Sequence, residues 1–135
     1  MTTAVRYLSK TGHTKLVAEA IAAELGIAAE PISEPLPEIT DVLVLGGAIY
    51  GFTIDQEFKD YISTLNPEKI KKVYVFATSA LVKSVNQSIK DLLTAQGLNV
   101  ADDTFHCYGK FKAIHSKHPN DADLKAAKDF AKRIV

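Results

Sequence analysis

Near the start of the chain, a run of hydroxyl-bearing and small residues has the chemistry of a phosphate-binding loop. Residues 9–14 read Ser-Lys-Thr-Gly-His-Thr and lie between an apolar run and a segment with helical periodicity. Backbone amides at the start of a helix attract anions, hydroxyls donate hydrogen bonds to them, and glycine allows close backbone approach. The residues predicted to bind a phosphate group are Ser9, Lys10, Thr11, Gly12, His13 and Thr14.

Two other phosphate-binding motifs are absent from the sequence. A nucleoside triphosphate loop needs a glycine, four residues, and then Gly-Lys-Ser or Gly-Lys-Thr, and the chain has no such run. Gly46, Gly47 and Gly51 do not have the G-x-G-x-x-G spacing of a dinucleotide site. They also occur in and just after the third predicted strand, whereas that motif follows the first.

Length and composition favour one globular domain spanning residues 1–135. Hydrophobic residues make up 47% and charged residues 24% of the chain. Sixteen basic residues balance sixteen acidic ones, which argues against a nucleic-acid or anionic membrane surface. The single cysteine fits a reducing compartment, and no apolar run approaches the length of a membrane span. We therefore expect a soluble, cytoplasmic protein without a membrane partner.

Five segments of the chain have the character of β-strands. Continuous apolar runs are typical of parallel strands that are covered on both faces of a sheet. The predicted strands are residues 4–8, 27–30, 42–49, 73–77 and 104–108. Pro31 follows the second of them and favours an edge position for that strand, because proline has no amide proton to donate to a neighbour.

Four segments have apolar residues at the spacing of an amphipathic helix. Gly26 and Gly97 are expected to end the first and third helices, and Thr53 or Asp55 to cap the second. The residues predicted to face inward are Leu16, Val17, Ala20, Ile21 and Leu25 in the first helix, Phe58, Tyr61, Ile62 and Leu65 in the second, Val85, Ile89, Leu92 and Leu93 in the third, and Leu124, Ala127, Ala131 and Ile134 in the last.

Alternating strands and helices predict an α/β fold with right-handed crossovers and a doubly wound sheet. One connection departs from this pattern, because residues 33–40 contain Pro35 and Pro37 and are too short for a crossover helix. We expect a short turn of helix or an extended crossing there. Arg6 lies within a predicted central strand, where a buried guanidinium needs a carboxylate partner.

Residues 9–14 resemble the phosphate loop of flavodoxins, which reads Ser/Thr-x-Thr-Gly-x-Thr after the first strand. The chain matches every fixed position of that pattern, at the end of a predicted strand and before a predicted helix. The resemblance spans almost the whole chain. It implies a flavodoxin-like, five-stranded parallel sheet in the order 2-1-3-4-5, with helices on both faces, and flavin mononucleotide (FMN) as the cofactor.

The same resemblance implies that two further loops hold the flavin ring. The implied contacts are Ala48, Tyr50, Gly51 and Phe52 in the loop of residues 48–53, and Thr78, Ser79 and Ala80 in the loop of residues 78–83. Tyr50 or Phe52 would stack on the ring and exclude water, while the other packs on the second helix. Gly51 would allow a neighbouring peptide to turn over when the flavin changes its redox state.

By this resemblance the protein is an FMN-binding, monomeric electron carrier that passes one or two electrons between transiently docked redox proteins. No residue is assigned as a catalytic acid or base. Flavodoxins often have a longer, acidic third loop with a second aromatic, which this chain lacks, so a small substrate could stack on the ring. An FMN-dependent reductase of a quinone, nitro compound or tetrapyrrole is the first alternative. The second is a binding module that keeps the fold without flavin.

A metal site is not expected, although four metal-ligating residues occur in the last third of the chain. They are His106, Cys107, His115 and His118. Neighbouring residues on a strand project to opposite faces, so His106 and Cys107 are poorly placed to share a metal ion.

Overall fold

The computed structural model describes residues 2–9, 12–50, 53–79, 85–108 and 121–134 of the chain. Strands and helices alternate along the chain as the sequence predicts, apart from three successive strands between the first two helices. In chain order the elements are β1 (Thr3–Tyr7), α1 (His13–Leu25), β2 (Ala29–Pro31), β3 (Thr40–Tyr50), β4 (Thr53–Ile54), α2 (Gln56–Ser63), β5 (Ile70–Ser79), α3 (Val85–Ala95), β6 (Phe105–Tyr108) and α4 (Asp121–Lys132).

All the parallel strands belong to one sheet in the order β2-β1-β3-β5-β6. When β4 is left out, this order is the predicted 2-1-3-4-5, so the flavodoxin-like fold is confirmed. The strand β4 pairs antiparallel with the end of β3, with Ile49 opposite Ile54 and Tyr50 opposite Thr53. Among the described strands, β2 pairs only with β1, so it lies at the edge of the sheet, as Pro31 predicts.

The strands β3 and β5 are longer than the apolar runs that predict them. Their parallel pairing extends from Thr40 opposite Ile70 to Ile49 opposite Ser79. Tyr50, Thr78 and Ser79 therefore continue the two strands, although the sequence places them in loops. Ala48 and Ile49, which lie in both the predicted strand and the predicted loop, belong to β3. Backbone pairing needs only amide and carbonyl groups, so a ladder can continue past the point where apolar side chains end.

The two faces of the sheet bury separate hydrophobic clusters. On one face, α1 and α4 cover a cluster that includes Val5, Val44 and Phe76. On the other face, α2 and α3 cover a cluster that includes Leu45 and Val75. The odd and even positions of each strand thus supply different clusters, as expected for strands that are buried on both faces.

Within the first cluster, Phe130 of α4 is fully buried, although it is absent from the predicted inward set. Its ring centroid lies 6.3 Å from that of Tyr74 and 5.8 Å from that of Phe105. Edge-to-face and tilted ring pairs of this kind stabilise a core beyond the apolar area that they bury. Phe130 therefore anchors α4 to β5 and β6.

The helix ends agree with the predicted capping residues. Asp55, not Thr53, caps α2, because its carboxylate accepts a hydrogen bond of 2.8 Å from the amide of Glu57. Gly26 and Gly97 follow α1 and α3 in left-handed conformations, with φ of 74° and 93°. In the described ranges, no helix is both long enough and apolar enough to cross a membrane.

The connection from β2 to β3 crosses the sheet without a helix, as predicted. It begins with a turn in which the amide of Glu34 donates to the carbonyl of Pro31 at 3.0 Å. Ile32 of this segment is buried in the cluster under α2 and α3. The crossover therefore covers part of the face on which a longer connection would place a helix.

Arg6 of β1 holds this crossover in place. The side chain is buried, with 6% of its surface exposed. Its Nε and Nη2 donate to the carbonyl oxygens of Glu34 and Pro35 at 3.3 and 2.7 Å. Nη2 also lies 3.3 Å from the carboxylate of Glu30, the expected acidic partner. The guanidinium thus donates hydrogen bonds to crossover carbonyls that would accept them from backbone amides if this segment were a helix.

Replacing Arg6 by methionine should lower the free energy of unfolding by about 2 kcal/mol, because two crossover carbonyls lose their donor. Amide hydrogen exchange should accelerate most in residues 32–39. The matched control is Glu30→Gln, which removes only a half-exposed ion-pair partner and should cost less than about 1 kcal/mol. Equal losses in the two variants, measured by urea unfolding, would show that the ion pair and not the carbonyl contacts matters.

Two glycines in β3 make room for aromatic rings on the two faces of the sheet. Gly46 lies opposite Phe76 in the ladder, and a Cβ at this position would overlap the Phe76 ring. A Cβ on Gly47 would lie 3.0 Å from the ring of Phe58, which belongs to α2. Both rings are almost fully buried, so neither can move into solvent to relieve a clash. The close approach is tighter at Gly46.

We expect Gly46→Ala to lower the free energy of unfolding by about 3 kcal/mol, because an added methyl group must displace the buried ring of Phe76. Gly47→Ala is the control, since it adds the same group to the adjacent residue with a milder contact. Its cost should stay below about 1 kcal/mol. Urea unfolding of both variants provides the measurement, and a smaller loss for Gly46→Ala than for Gly47→Ala would contradict the prediction.

Candidate functional site

The first turn of α1 starts at the predicted phosphate loop. Gly12 is the N-cap residue, and no side chain of the described residues caps this helix end. The first intrahelical bond joins the amide of Leu16 to the carbonyl of Gly12 at 3.1 Å. The amides of Thr14 and Lys15 come before that bond in the helix, where the first amides have no partner within the helix.

The electrostatics of this helix end favour an anion. The first turn of α1 contains no acidic residue. Aspartate or glutamate often occupies this place in helices, because the helix dipole is positive there. Here no carboxylate in the first turn competes for the amides, so this helix end is suited to bind an anion.

Ser9 and Gly12 form the described part of the loop itself. The amide of Gly12 donates to the Ser9 hydroxyl oxygen at 3.0 Å. Gly12 has φ of 89°, a left-handed conformation that disfavours any side chain, yet a Cβ built on it meets no atom of the described residues within 4 Å. As far as those residues extend, the space beside this backbone is open, and the lack of a side chain allows a ligand to approach it closely.

Below the loop, a pair of buried hydroxyls joins α1 to the sheet. Thr14 Oγ1 lies 2.7 Å from Thr78 Oγ1, and the two residues are 1% and 2% exposed. Thr78 stands on β5, opposite Ala48 of β3 and Cys107 of β6. The structure therefore brings together two segments that the sequence assigns separately to the phosphate and to the ring.

The remaining predicted contacts fall into two groups. Backbone positions place Ala48 and Tyr50 in β3 and Ser79 in β5, and Ala48 and Ser79 stand within the paired part of these strands. His13 is the first residue of α1. The predicted residues that lie outside the described part are Lys10, Thr11, Gly51, Phe52 and Ala80.

The predicted site residues that the structure describes lie at the carboxyl edge of the sheet. The amide of Leu8, just after β1, donates to the carbonyl of Gly46 in β3 at 3.0 Å. The chain adds β2 on one side of β1, and β3 and later parallel strands on the other. The switch point thus lies between β1 and β3, beside the loop of residues 9–14, which is where open α/β sheets bind ligands.

A separate cleft of about 450 Å³ lies between the crossover and the end of α2. Tyr61 lines it, and within the described part of the chain the Tyr61 hydroxyl is buried without a hydrogen-bond partner. Burial raises the pKa of Tyr61, and the positive charge of Arg6 partly opposes that rise. None of the predicted site residues that the structure describes lines this cleft, so it is distinct from the described part of the predicted phosphate site.

The histidine and cysteine residues do not converge on a metal site where they are described. His106 and Cys107 occupy consecutive positions of β6, opposite Ala77 and Thr78. No group of three potential ligands occurs among the residues that the structure covers. His115 and His118 lie outside those residues.

Comparison with known proteins gives the same family by sequence and the same fold by structure. The flavodoxin domain model matches residues 4–113. An uncharacterized protein of Methanocaldococcus jannaschii is 31% identical over 139 residues, covering 91% of this chain and 90% of that protein.

Among solved structures, a flavodoxin from the domain Archaea superposes with a TM-score of 0.77 at 19% identity. The superposition covers 97% of this chain and 94% of that one. Oxidised flavodoxin 2 from Bacillus cereus gives a TM-score of 0.72 at 15% identity, with 98% and 96% covered. These likenesses show the fold, and the sequence match over most of the chain shows that the protein belongs to the flavodoxin domain family.

Proposed function

We propose that the protein binds FMN through the loop of residues 9–14 and carries electrons between redox partner proteins. The observation that supports this most directly is the start of α1 at Gly12, which lacks a side-chain cap within the described residues and has no acid in its first turn. FMN ends in a phosphate dianion, which this helix end can bind through amides and hydroxyls without an arginine.

In this proposal, each group at the carboxyl edge has a part in binding. The amides at the start of α1 and the hydroxyls of Ser9 and Thr14 hold the phosphate. The ends of β3 and β5 support the ring, with Tyr50 or Phe52 stacked on it and Ser79 and Ala80 near its pyrimidine edge. The bound flavin supplies one- or two-electron transfer, and the chain orients it and limits its contact with water.

Partner proteins would dock briefly over the ring edge. Electron-transfer complexes are typically small and short-lived, so they need no large apolar surface. The formal net charge of zero gives the protein no strong overall attraction for a partner of either sign. Recognition would therefore depend on the local surface around the flavin.

Purification with excess FMN, followed by desalting, should give a yellow protein with the visible spectrum of bound flavin. FMN should bind at least about tenfold more tightly than riboflavin, because only FMN has the phosphate that interacts with the loop. Fluorescence titration measures both dissociation constants. A colourless product would overturn the proposal, and equal affinities would remove the loop from it.

The same preparation separates a carrier from a reductase. A carrier accelerates electron transfer from a reductase protein to a haem protein and has little turnover of its own. Steady-state oxidation of a nicotinamide cofactor by a quinone or nitro compound, without any added protein, would instead favour the small-acceptor reductase.

Gly12→Ala and Gly26→Ala form a matched pair at opposite ends of α1. Both glycines have positive φ, and a Cβ on either meets no described atom within 4 Å, so among these residues each substitution adds only backbone strain. Each should lower the free energy of unfolding by about 1 kcal/mol. FMN affinity should fall by about tenfold in Gly12→Ala alone, as the strained loop shifts its amides. Equal FMN affinity in the two variants would contradict the loop's role.

A further inference from the structure

We infer that Thr78 is a positioning residue for the phosphate site, acting through the hydroxyl of Thr14. This inference rests on the proposed binding of FMN at the loop of residues 9–14. Thr78 would orient the Thr14 hydroxyl so that its proton points to the phosphate, and would hold the first turn of α1 at the end of β5. It adds to the site a residue that need not touch the phosphate.

The geometry restricts what the Thr78 hydroxyl can do. It lies 2.7 Å from the Thr14 hydroxyl, and both side chains are almost fully buried. Tyr74 and Phe76 occupy the preceding positions on the same face of β5 and belong to the cluster under α1 and α4. Thr78 therefore places a polar group at the end of an apolar row, directly against the start of α1.

Packing alone does not account for a threonine at this position. Valine has nearly the same shape and would fill the same space without the cost of burying a hydroxyl. In the described part of the chain, the buried polar side chains are Arg6, Thr14, Thr40 and Thr78. Arg6 bonds to the crossover and Thr40 to the carbonyl of Pro37, whereas Thr14 and Thr78 bond to each other.

The direction of the hydrogen bond connects this pair to the phosphate. A hydroxyl has one proton to donate and lone pairs that accept, so either threonine can be the donor. A phosphate dianion only accepts, so Thr14 can bond to it only with its own proton. Thr78 must then donate to Thr14. In a buried pair the two bonds polarise each other, which strengthens the one to the phosphate.

Thr78→Val tests the inference, with Thr78→Ser as the conservative variant. Thr78→Val should weaken FMN on the order of tenfold, the loss typical of one hydrogen bond to a charged group, and leave riboflavin unchanged. Thr78→Ser should restore most of the FMN affinity. The ³¹P resonance of bound FMN should shift in Thr78→Val and return toward its original position in Thr78→Ser.

Thr40→Val is the matched control. It removes a buried threonine hydroxyl at the opposite end of the sheet, where β3 begins, and we expect it to lower stability by a comparable amount. It should leave FMN affinity and the ³¹P resonance unchanged. In a Thr14→Val background, Thr78→Val should cause no further loss of FMN affinity, because the hydroxyl through which it acts is gone.

Each outcome separates this inference from the proposed function. If the original protein binds no FMN, both are overturned. If it prefers FMN to riboflavin but Thr78→Val behaves like Thr40→Val, FMN binding stands and the positioning role of Thr78 is refuted. An equal loss of FMN and riboflavin in Thr78→Val would place Thr78 against the ring, as the family resemblance implies, and would also refute this role.

Discussion

The parallel ladder between β3 and β5 is the interaction on which the other parts of the structure depend. It extends from Thr40 and Ile70 to Ile49 and Ser79, past the end of the apolar core. β1 attaches to one side of this pair and β6 to the other. The length of the β3–β5 ladder determines where the chain leaves the sheet. It therefore also determines where the end of β5 contacts α1.

The two faces of this sheet are covered by different kinds of structure. Over the site, α1 and α4 lie on one cluster, where Phe130 joins the rings of Tyr74 and Phe105. On the other face, a connection without a helix lies beside α2, and buried Arg6 supplies donors to its carbonyls. In a helix, backbone carbonyls accept hydrogen bonds from backbone amides of the same helix. In this crossover, the side chain of Arg6 donates the hydrogen bonds to two of the carbonyls instead.

Features that depend on local sequence could be predicted. Gly26 ends α1, Asp55 caps α2 and Pro31 lies on an edge strand, because each follows from the conformation or hydrogen bonding of one residue. The start of α1 after Gly12 has the same local character, since the glycine and hydroxyl residues of the predicted phosphate loop precede a helical pattern in the sequence.

Features that depend on distant residues could not be predicted. The contact of Thr78 with Thr14 joins positions that are 64 residues apart, and no periodicity indicates it. Arg6 was expected to meet a carboxylate, and Glu30 provides one, but the two carbonyl partners depend on the path of the crossover. The apolar pattern predicts a shorter β5 than the structure has for a related reason, because backbone pairing continues where the apolar side chains stop.

The long sequence separation between Thr14 and Thr78 also bears on the order of folding. α1 and β1 can associate early because they are adjacent in the chain, whereas this hydroxyl pair must wait until β3 and β5 have joined the sheet. The hydrogen bond between Thr14 and Thr78 therefore forms only when the sheet is assembled. A ligand that requires it would bind the native state and not the unfolded chain, and would shift the folding equilibrium toward the native state by mass action.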